Sequence, residues 1–359
     1  MNLSTAHTYD NQKELDSSSP LGKLLAEADS KVAGLNFFNS IMHDGNAAGT
    51  MAGAQEIKFF TDRPVSNEKG YIEFLPASRN PGQLDSIKMG QVSITDARVL
   101  PTALASPQEE TEHRNSNTTA HLTQLYGNEE EFLKSIEQAS KDSPDHKVAV
   151  MIPGFPMTHD QGIATAANLQ AESGIPVVLY SWPSQDKPLI SAYKGDEKKD
   201  ELSLALHGNK IINDIANRIG AENMVLIGFS QGGKMAIQAA IARQKETRGA
   251  KPFFAQAFSR ADGPALEFQE NITPILKNAE HTVVLASPKD RLLLGSAFML
   301  QHEQSPFFPA WRTGSITKYK IPPELTSRFQ VIDDSSSNNG TTNHIFNTHE
   351  IAHWLKSLK

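Results

Sequence analysis

The sequence predicts an α/β fold: a mostly parallel sheet with helices on both faces, preceded by N-terminal meander strands. Three observations predict it. Short apolar runs such as KVAVMI, NMVLIGF and HTVVLAS recur along the chain, at the length and composition of strands buried on both faces. Segments of helical periodicity separate them, and a helix between successive buried strands implies a parallel sheet. One strand–helix junction is Gly228-Phe229-Ser230-Gln231-Gly232, a pattern that in this context turns sharply and presents the serine at the carboxyl end of the sheet.

Residues 1–55 are rich in Ser and Asn, and the first arginine of the chain is Arg63. Leu21, Leu24, Leu25 and Ala28 fit one short helix but supply too little apolar surface for a core. This stretch therefore reads as a flexible or partly helical N-terminal arm, and 56–359 as a single domain. EIKFF (56–60), YIEF (71–74) and QVSIT (91–95) read as the meander strands, and a polar linker follows near 105–125. KVAVMI (147–152) then precedes a helix over about 160–172, and IPVVLYSW (175–182) precedes one over about 196–219. NMVLIGF (223–229) leads into a helix from about 232. KPFFAQAF (251–258), HTVVLAS (281–287) and RFQVID (328–333) continue the series, and a helix over about 348–358 ends it. The charge run from Asp196 to Glu201 and the acids Glu129, Glu130 and Glu131 read as helix starts on solvated faces, suited to the helix dipole.

Composition excludes several classes. The chain has no cysteine, which removes disulfide frameworks, cysteine-ligated metals and thiol nucleophiles. A net charge of −7 gives no basic surface for nucleic acid, and no apolar run approaches the roughly 18 residues of a membrane span. The first twenty residues lack a basic start and an apolar stretch, so a cytoplasmic location is expected. A Sec-independent export signal is the alternative reading of the arm.

Two motifs compete for the chemistry. In the first, NMVLI before the turn and KMAIQAAIA after it supply the strand and the close-packing helix that a nucleophilic Ser230 requires. The second is His349-Glu350-Ile351-Ala352-His353, the pattern of a zinc peptidase. Ile351, Trp354, Leu355 and Leu358 form the apolar stripe of that helix, which places both imidazoles on the opposite, solvent face. The first motif is therefore preferred, with no metal or other cofactor expected.

A serine nucleophile needs a base and an acid, and on such a sheet they follow in the order Ser, Asp or Glu, His. Asp290 lies in the SPKDR turn after HTVVLAS, and His344 lies after RFQVID and the loop DSSSNNGTTN. Asp262, Asp333 and Asp334 are the other acids near strand ends, His349 is the other base, and Asp290 could serve only as a helix cap. The oxyanion amides would be those of Gln231, directly after the nucleophile, and Phe155 in Pro153-Gly154-Phe155-Pro156, because proline has no N–H. Phe307, Phe308 and Trp311 in QHEQSPFFPAWRTG (301–314) read either as a substrate-binding lid or as packing under the helix after Asp290.

IKFFTDRP, GQVSI, the PGFP turn, LYSWPS (179–184), Tyr193 with Asp196, GFSQGG, ADGPALEF, LASPKDR, PAWRTG and NHIF follow one another in an order that resembles a bacterial family. It is the alpha/beta-hydrolase family called "domain of unknown function nine hundred". The resemblance covers about 56–355 and implies an alpha/beta-hydrolase fold with Ser230 as nucleophile, Asp290 as acid and His344 as base. Pro153 stands where a His is customary, and Gly228 and Gln231 stand for the commoner Ala and Met. The expected activity is that of a serine hydrolase acting on a small-molecule or lipid ester, carboxylesterase-, lipase- or thioesterase-like. A catalytically silent scaffold or exported effector is the alternative, and a zinc peptidase the least favoured.

Overall fold

Strand β6 (Val148–Ile152) shows how this composition makes a sheet. All five residues are buried, and they divide by alternation between two cores. Val148, Val150 and Ile152 join one cluster, whereas Ala149 and Met151 join the other. Strand β8 (Met224–Phe229) behaves likewise, with Leu226 on the first side and Val225 and Ile227 on the second.

The computed structural model describes residues 54–66, 73–74, 86–94, 120–155, 157–184, 198–247, 249–290, 293, 296, 312–335 and 346–358. The expected arm up to residue 53, Tyr193, Asp196, His344, Phe307, Phe308 and Trp311 lie outside them, and Gln55, expected as the last residue of the arm, opens the first strand. The fold is that of an alpha/beta hydrolase. The remaining strands of its main sheet are β1 (Gln55–Thr61), β4 (Lys88–Ile94), β5 (Ala120–Leu125), β7 (Val177–Tyr180), β9 (Phe253–Ser259), β10 (Ala279–Ala286) and β11 (Phe329–Asp333). The nine strands run in the order β11-β10-β9-β8-β6-β7-β1-β4-β5. Pairing is parallel from β11 to β1, and β4 and β5 close the far side as an antiparallel meander.

Helices cover both faces. Helices α1 (Glu129–Asp142), α3 (Asn209–Ile219), α4 (Gln231–Glu246) and α6 (Ile272–Lys277) pack on one, with Phe132, Ile136, Ile211, Ile215, Met235 and Ile275 in its core. Helices α2 (His159–Ser173) and α7 (Thr348–Ser357) pack on the other through Ile163, Leu169, Ile351 and Trp354. A short α5 (Ala265–Glu270) precedes α6. A π-helical turn, Leu204–Gly208, runs into α3 from helical residues 198–203. No helix among the described residues is long and apolar enough to cross a membrane.

Three expectations need correction. Residues 120–125 are a strand, not the end of a linker. They sit at the sheet edge, where Leu122 and Leu125 stay exposed, so no apolar run marks them. Of YIEF the structure describes Glu73–Phe74, a strand (β3) that pairs with β2 (Val65–Ser66) in a separate two-stranded sheet rather than in the main meander. The run 196–201 is not wholly solvated. Lys199 and Asp200 are buried, and Asp200 lies 3.4 Å from Lys234 Nζ on α4. The desolvation of one charge is offset by the other.

Candidate active site

Chain order and strand order diverge at β6, because β7 follows it on one side and β8 on the other. In open parallel sheets the crevice outside the carboxyl ends at such a switch point is where ligands bind. The turn after β6 carries Pro153 and Gly154, and the turn after β8 carries Ser230.

Ser230 has φ 54° and ψ −121°, a conformation that costs a non-glycine residue about 1–3 kcal/mol and persists only where its surroundings over-determine it. Here they do. Its N–H donates to Ser259 O at 3.0 Å, and its carbonyl accepts from the N–H groups of Gly233 (2.9 Å), Asp262 (2.9 Å) and Lys234 (3.2 Å). A Cβ on Gly232 would lie 2.2 Å from Ile152 O, and one on Gly154 would lie 2.7 Å from Ser230 Cβ. Only glycine lets α4 start against the end of β6 and lets the 153–155 loop reach the serine. Gln231 opens α4 and is buried beside the elbow; as the first residue of the helix its N–H has no place in the intrahelical ladder.

The loop after β6 is held from β7. Trp182 Nε1 donates to Pro153 O at 2.7 Å, and Met157 N donates to Gly154 O at 3.1 Å. The buried guanidinium of Arg63 donates to Ser181 Oγ (3.0 Å), Ser184 Oγ (2.9 Å) and Met157 O (2.9 Å). Ser181, Trp182 and Ser184 of LYSWPS thus anchor the loop that carries Phe155, itself half-buried. Behind that loop α2 begins with a capping box between Thr158 and Gln161. His159, its first residue, is wholly buried edge-on to Phe59 and against Phe74, with ring centroids 4.8 and 4.2 Å away. Burial, with a smaller push from Arg63, lowers its pKa to about 3.

Asp290 is fully buried after β10. Its Oδ1 accepts from Leu293 N at 3.1 Å, the capping role, and its Oδ2 lies 3.5 Å from Arg260 Nη1. Arg260, at the end of β9 with φ 45°, also donates from Nη2 to Asp334 Oδ2 at 2.8 Å. Asn347 Nδ2 donates to Asp334 Oδ1 at 3.1 Å and so brings in the chain before α7. Asp262, next to the elbow, faces Arg312 Nε at 3.2 Å and accepts a short hydrogen bond from Ser296 Oγ. Arg312, Thr313 and Gly314 strap these strand ends together. Thr313 N donates to Gly263 O, Gly314 N to Ala261 O and Ser287 N to Gly314 O, each at 2.8 Å.

Of the sequence-predicted residues, Ser230, Gln231, Phe155 and Asp290 all lie at the carboxyl edge of the sheet, with Phe155 in the loop that touches the elbow. His344 is not described, but Phe346, two residues on, is buried with its ring 5.3 Å from that of Phe229, the residue before Ser230. His349 and His353 are exposed on α7 while Ile351, Trp354 and Leu355 are buried, the arrangement the helical stripe predicts. His349 Nδ1 lies 3.7 Å from Glu172 Oε2. Sequence reasoning missed the holding roles of Trp182, Arg260, Arg312 and Asp334. Each takes partners distant in the chain, and only the motifs LYSWPS and PAWRTG hinted at two of them. A separate cleft of about 700 Å³, lined by Lys58, Tyr126, Glu131 and Val177 among others, contains none of the site residues.

The family described as "Alpha/beta hydrolase of unknown function (DUF900)" matches residues 128–313. The chain belongs to this family. The DUF900 match includes Ser230 and Asp290, stops before His344, and is narrower than the 56–355 suggested by the motifs. No curated protein matches the chain. Among solved structures, an esterase of Pyrobaculum calidifontis is similar at 12% identity and TM-score 0.30, over 59% of this chain and 77% of its own. Est1E of Butyrivibrio proteoclasticus is similar at 10% identity and TM-score 0.30, over 59% and 86%. An arylesterase is similar at 8% identity and TM-score 0.33, over 90% and 91%. Likenesses at these scores carry no weight for the chemistry.

Proposed function

We propose that this DUF900 protein is a serine hydrolase that cleaves an ester through an acyl-enzyme on Ser230. The carrying observation is the elbow: Ser230 is held at φ 54° between β8 and α4 by a set of hydrogen bonds that tolerates the strain. A serine with only a packing role would relax into an ordinary conformation. In the proposed mechanism His344 takes the Ser230 proton as Oγ attacks the carbonyl, and then gives it to the leaving alcohol. Asp290 orients the imidazole. Contact between Phe346 and Phe229 supports His344 as the base, since it ties the chain just after that histidine to the elbow. The amides of Gln231 and Phe155 face the developing oxyanion, where the loss of one donor costs about 3–4 kcal/mol of transition-state stabilisation. Water then attacks the acyl-enzyme with His344 as base again.

The N-terminal arm, expected over 1–55, we take as lying outside this catalytic domain up to the start of β1 at Gln55, and Phe307, Phe308 and Trp311 as an apolar wall for the acyl group. Labelling by a fluorophosphonate probe, with turnover of a p-nitrophenyl ester, tests the reading. Both should be present in the wild type and absent in Ser230→Ala. A wild type that is not labelled, or a variant that is, overturns it.

A further inference from the structure

Gln231 does more than follow the nucleophile. Its side chain is only 1% exposed, and neither its Oε1 nor its Nε2 meets a hydrogen-bonding partner among the described residues. A carboxamide offers two donors and an acceptor with two lone pairs, and leaving such a group buried and unpaired is unfavourable enough that native proteins seldom do so away from functional sites. Adjacent Cα atoms lie about 3.8 Å apart, so the Gln231 carboxamide lies within about a side chain's length of the nucleophile. Gln256, another buried glutamine of this fold, shows the ordinary arrangement. Its Nε2 donates to Ile275 O and Thr282 Oγ1, and its Oε1 accepts from Asn278.

We infer that the Gln231 carboxamide is a specificity-determining group that reads a hydroxyl or amide on the acyl part of the substrate, close to the scissile carbonyl. The inference rests on the serine-hydrolase reading and narrows its substrate class to hydroxyacyl or amidoacyl esters. The acyl part is the partner because it stays on Ser230 while the alcohol departs. A buried group beside the nucleophile therefore faces what remains attached. Both hydrogen-bonding senses of the carboxamide are met by a hydroxyl or an amide, and neither by an alkyl chain. A site built for such a bond discriminates against an analogue that lacks it by about tenfold or more.

The test compares p-nitrophenyl butyrate, 3-hydroxybutyrate and N-acetylglycinate on the full chain, wild type and Gln231→Met, a variant of similar side-chain length without the amide. Each kcat/KM is corrected for spontaneous hydrolysis and expressed as a ratio to butyrate within the same protein, so that any loss of folded enzyme cancels. At least one polar ester should exceed butyrate by about tenfold in the wild type, and the ratio should fall to near unity in the variant. A wild type that treats butyrate as well as both polar esters overturns the inference, as does a preference that survives in Gln231→Met. If the wild type is neither labelled by fluorophosphonate nor active on any of the three, the hydrolase reading itself fails. Labelling without preference defeats the Gln231 assignment alone.

Discussion

His159 sets up a measurable dependence of stability on pH. In the unfolded chain its imidazole titrates near 6.5, whereas in the fold burial lowers the pKa to about 3. Between those values the unfolded state holds a proton that the native state does not. Stability from this group is therefore complete above pH 6.5 and is lost as pH falls towards 3, at about 1.4 kcal/mol per pH unit and about 5 kcal/mol over the whole window. Replacing the residue by Phe keeps an aromatic ring against Phe59 and Phe74 and removes the proton site, together with two ring nitrogens that find no partner among the described residues. Asp62 works in the opposite sense. Burial raises its pKa, so its contribution is present at low pH and declines as pH rises through the folded value. It titrates in both proteins, so the difference between them isolates His159. Urea unfolding followed by circular dichroism at pH 7.5, 6.5, 5.5 and 4.5 is the assay. The variant should match or exceed the wild type at pH 7.5 and gain on it by about 3 kcal/mol by pH 4.5. Parallel stability curves for the two proteins would refute the argument.

Other predictions concern the site. Gly154→Ala forces a Cβ to 2.7 Å from Ser230 Cβ, so kcat/KM for a p-nitrophenyl ester should fall about 100-fold or more; unchanged turnover would mean that the 153–155 loop does not serve the reaction. Trp182→Phe removes the donor to Pro153 O and should slow fluorophosphonate labelling about tenfold, measured as a second-order rate constant at equal amounts of folded protein. Arg312→Met leaves Asp262 buried without its guanidinium and should cost about 3–5 kcal/mol in urea unfolding. Asp262→Asn combined with Arg312→Met should recover at least half of that loss, and a double variant no better than the single would defeat the pairing. Asp290→Asn and His344→Ala should each lose turnover while keeping the cooperative unfolding transition.

The strands β6 to β8 were legible because each is buried on both faces, so an unbroken apolar run marks it; β9 and β10 keep enough of such a run, around Gln256 and after Thr282, to be read as well. Ser230 was legible for a related reason: strand, turn and helix are contiguous, and Gly228 and Gly232 lie within two positions of it, although Ser259, Asp262 and the Ile152 carbonyl, which also shape the elbow, are distant in the chain. What escaped is long-range. The polar strand β5 buries too little for hydrophobic patterning to detect. Asp200 looks like a surface charge until Lys234, 34 residues beyond it, is brought beside it. Arg260 meets Asp334 across 74 residues, a pairing that neither composition nor spacing encodes. Trp182 was visible as part of a motif, but its bond to Pro153 depends on β6 and β7 being neighbours.

These long-range contacts also fix the turns around the elbow of this chain. An elbow serine needs little beyond small residues and a strand end, so GFSQGG says which kind of chemistry is available and nothing about whose. Asp290 and the 153–155 loop sit on separate turns, and each turn must be fixed independently against thermal motion. Here the fixing groups are charged or polar and almost wholly buried: Arg63 and Trp182 on the β6 side, Arg260 and Arg312 on the β9–β10 side. Buried ion pairs gain little net stability over apolar packing, so stability alone gives no reason to retain two arginines among Asp262, Asp290 and Asp334. Geometry does. A guanidinium presents donors in fixed directions: Arg260 Nη2 donates to Asp334, which Asn347 ties to the chain before α7, while Nη1 lies 3.5 Å from Asp290 Oδ2 as an ion pair. On the proposed serine-hydrolase reading, this charged cluster is what holds the turn of Asp290 and the chain before α7 in register with Ser230, at a cost in stability that the two large apolar cores can bear.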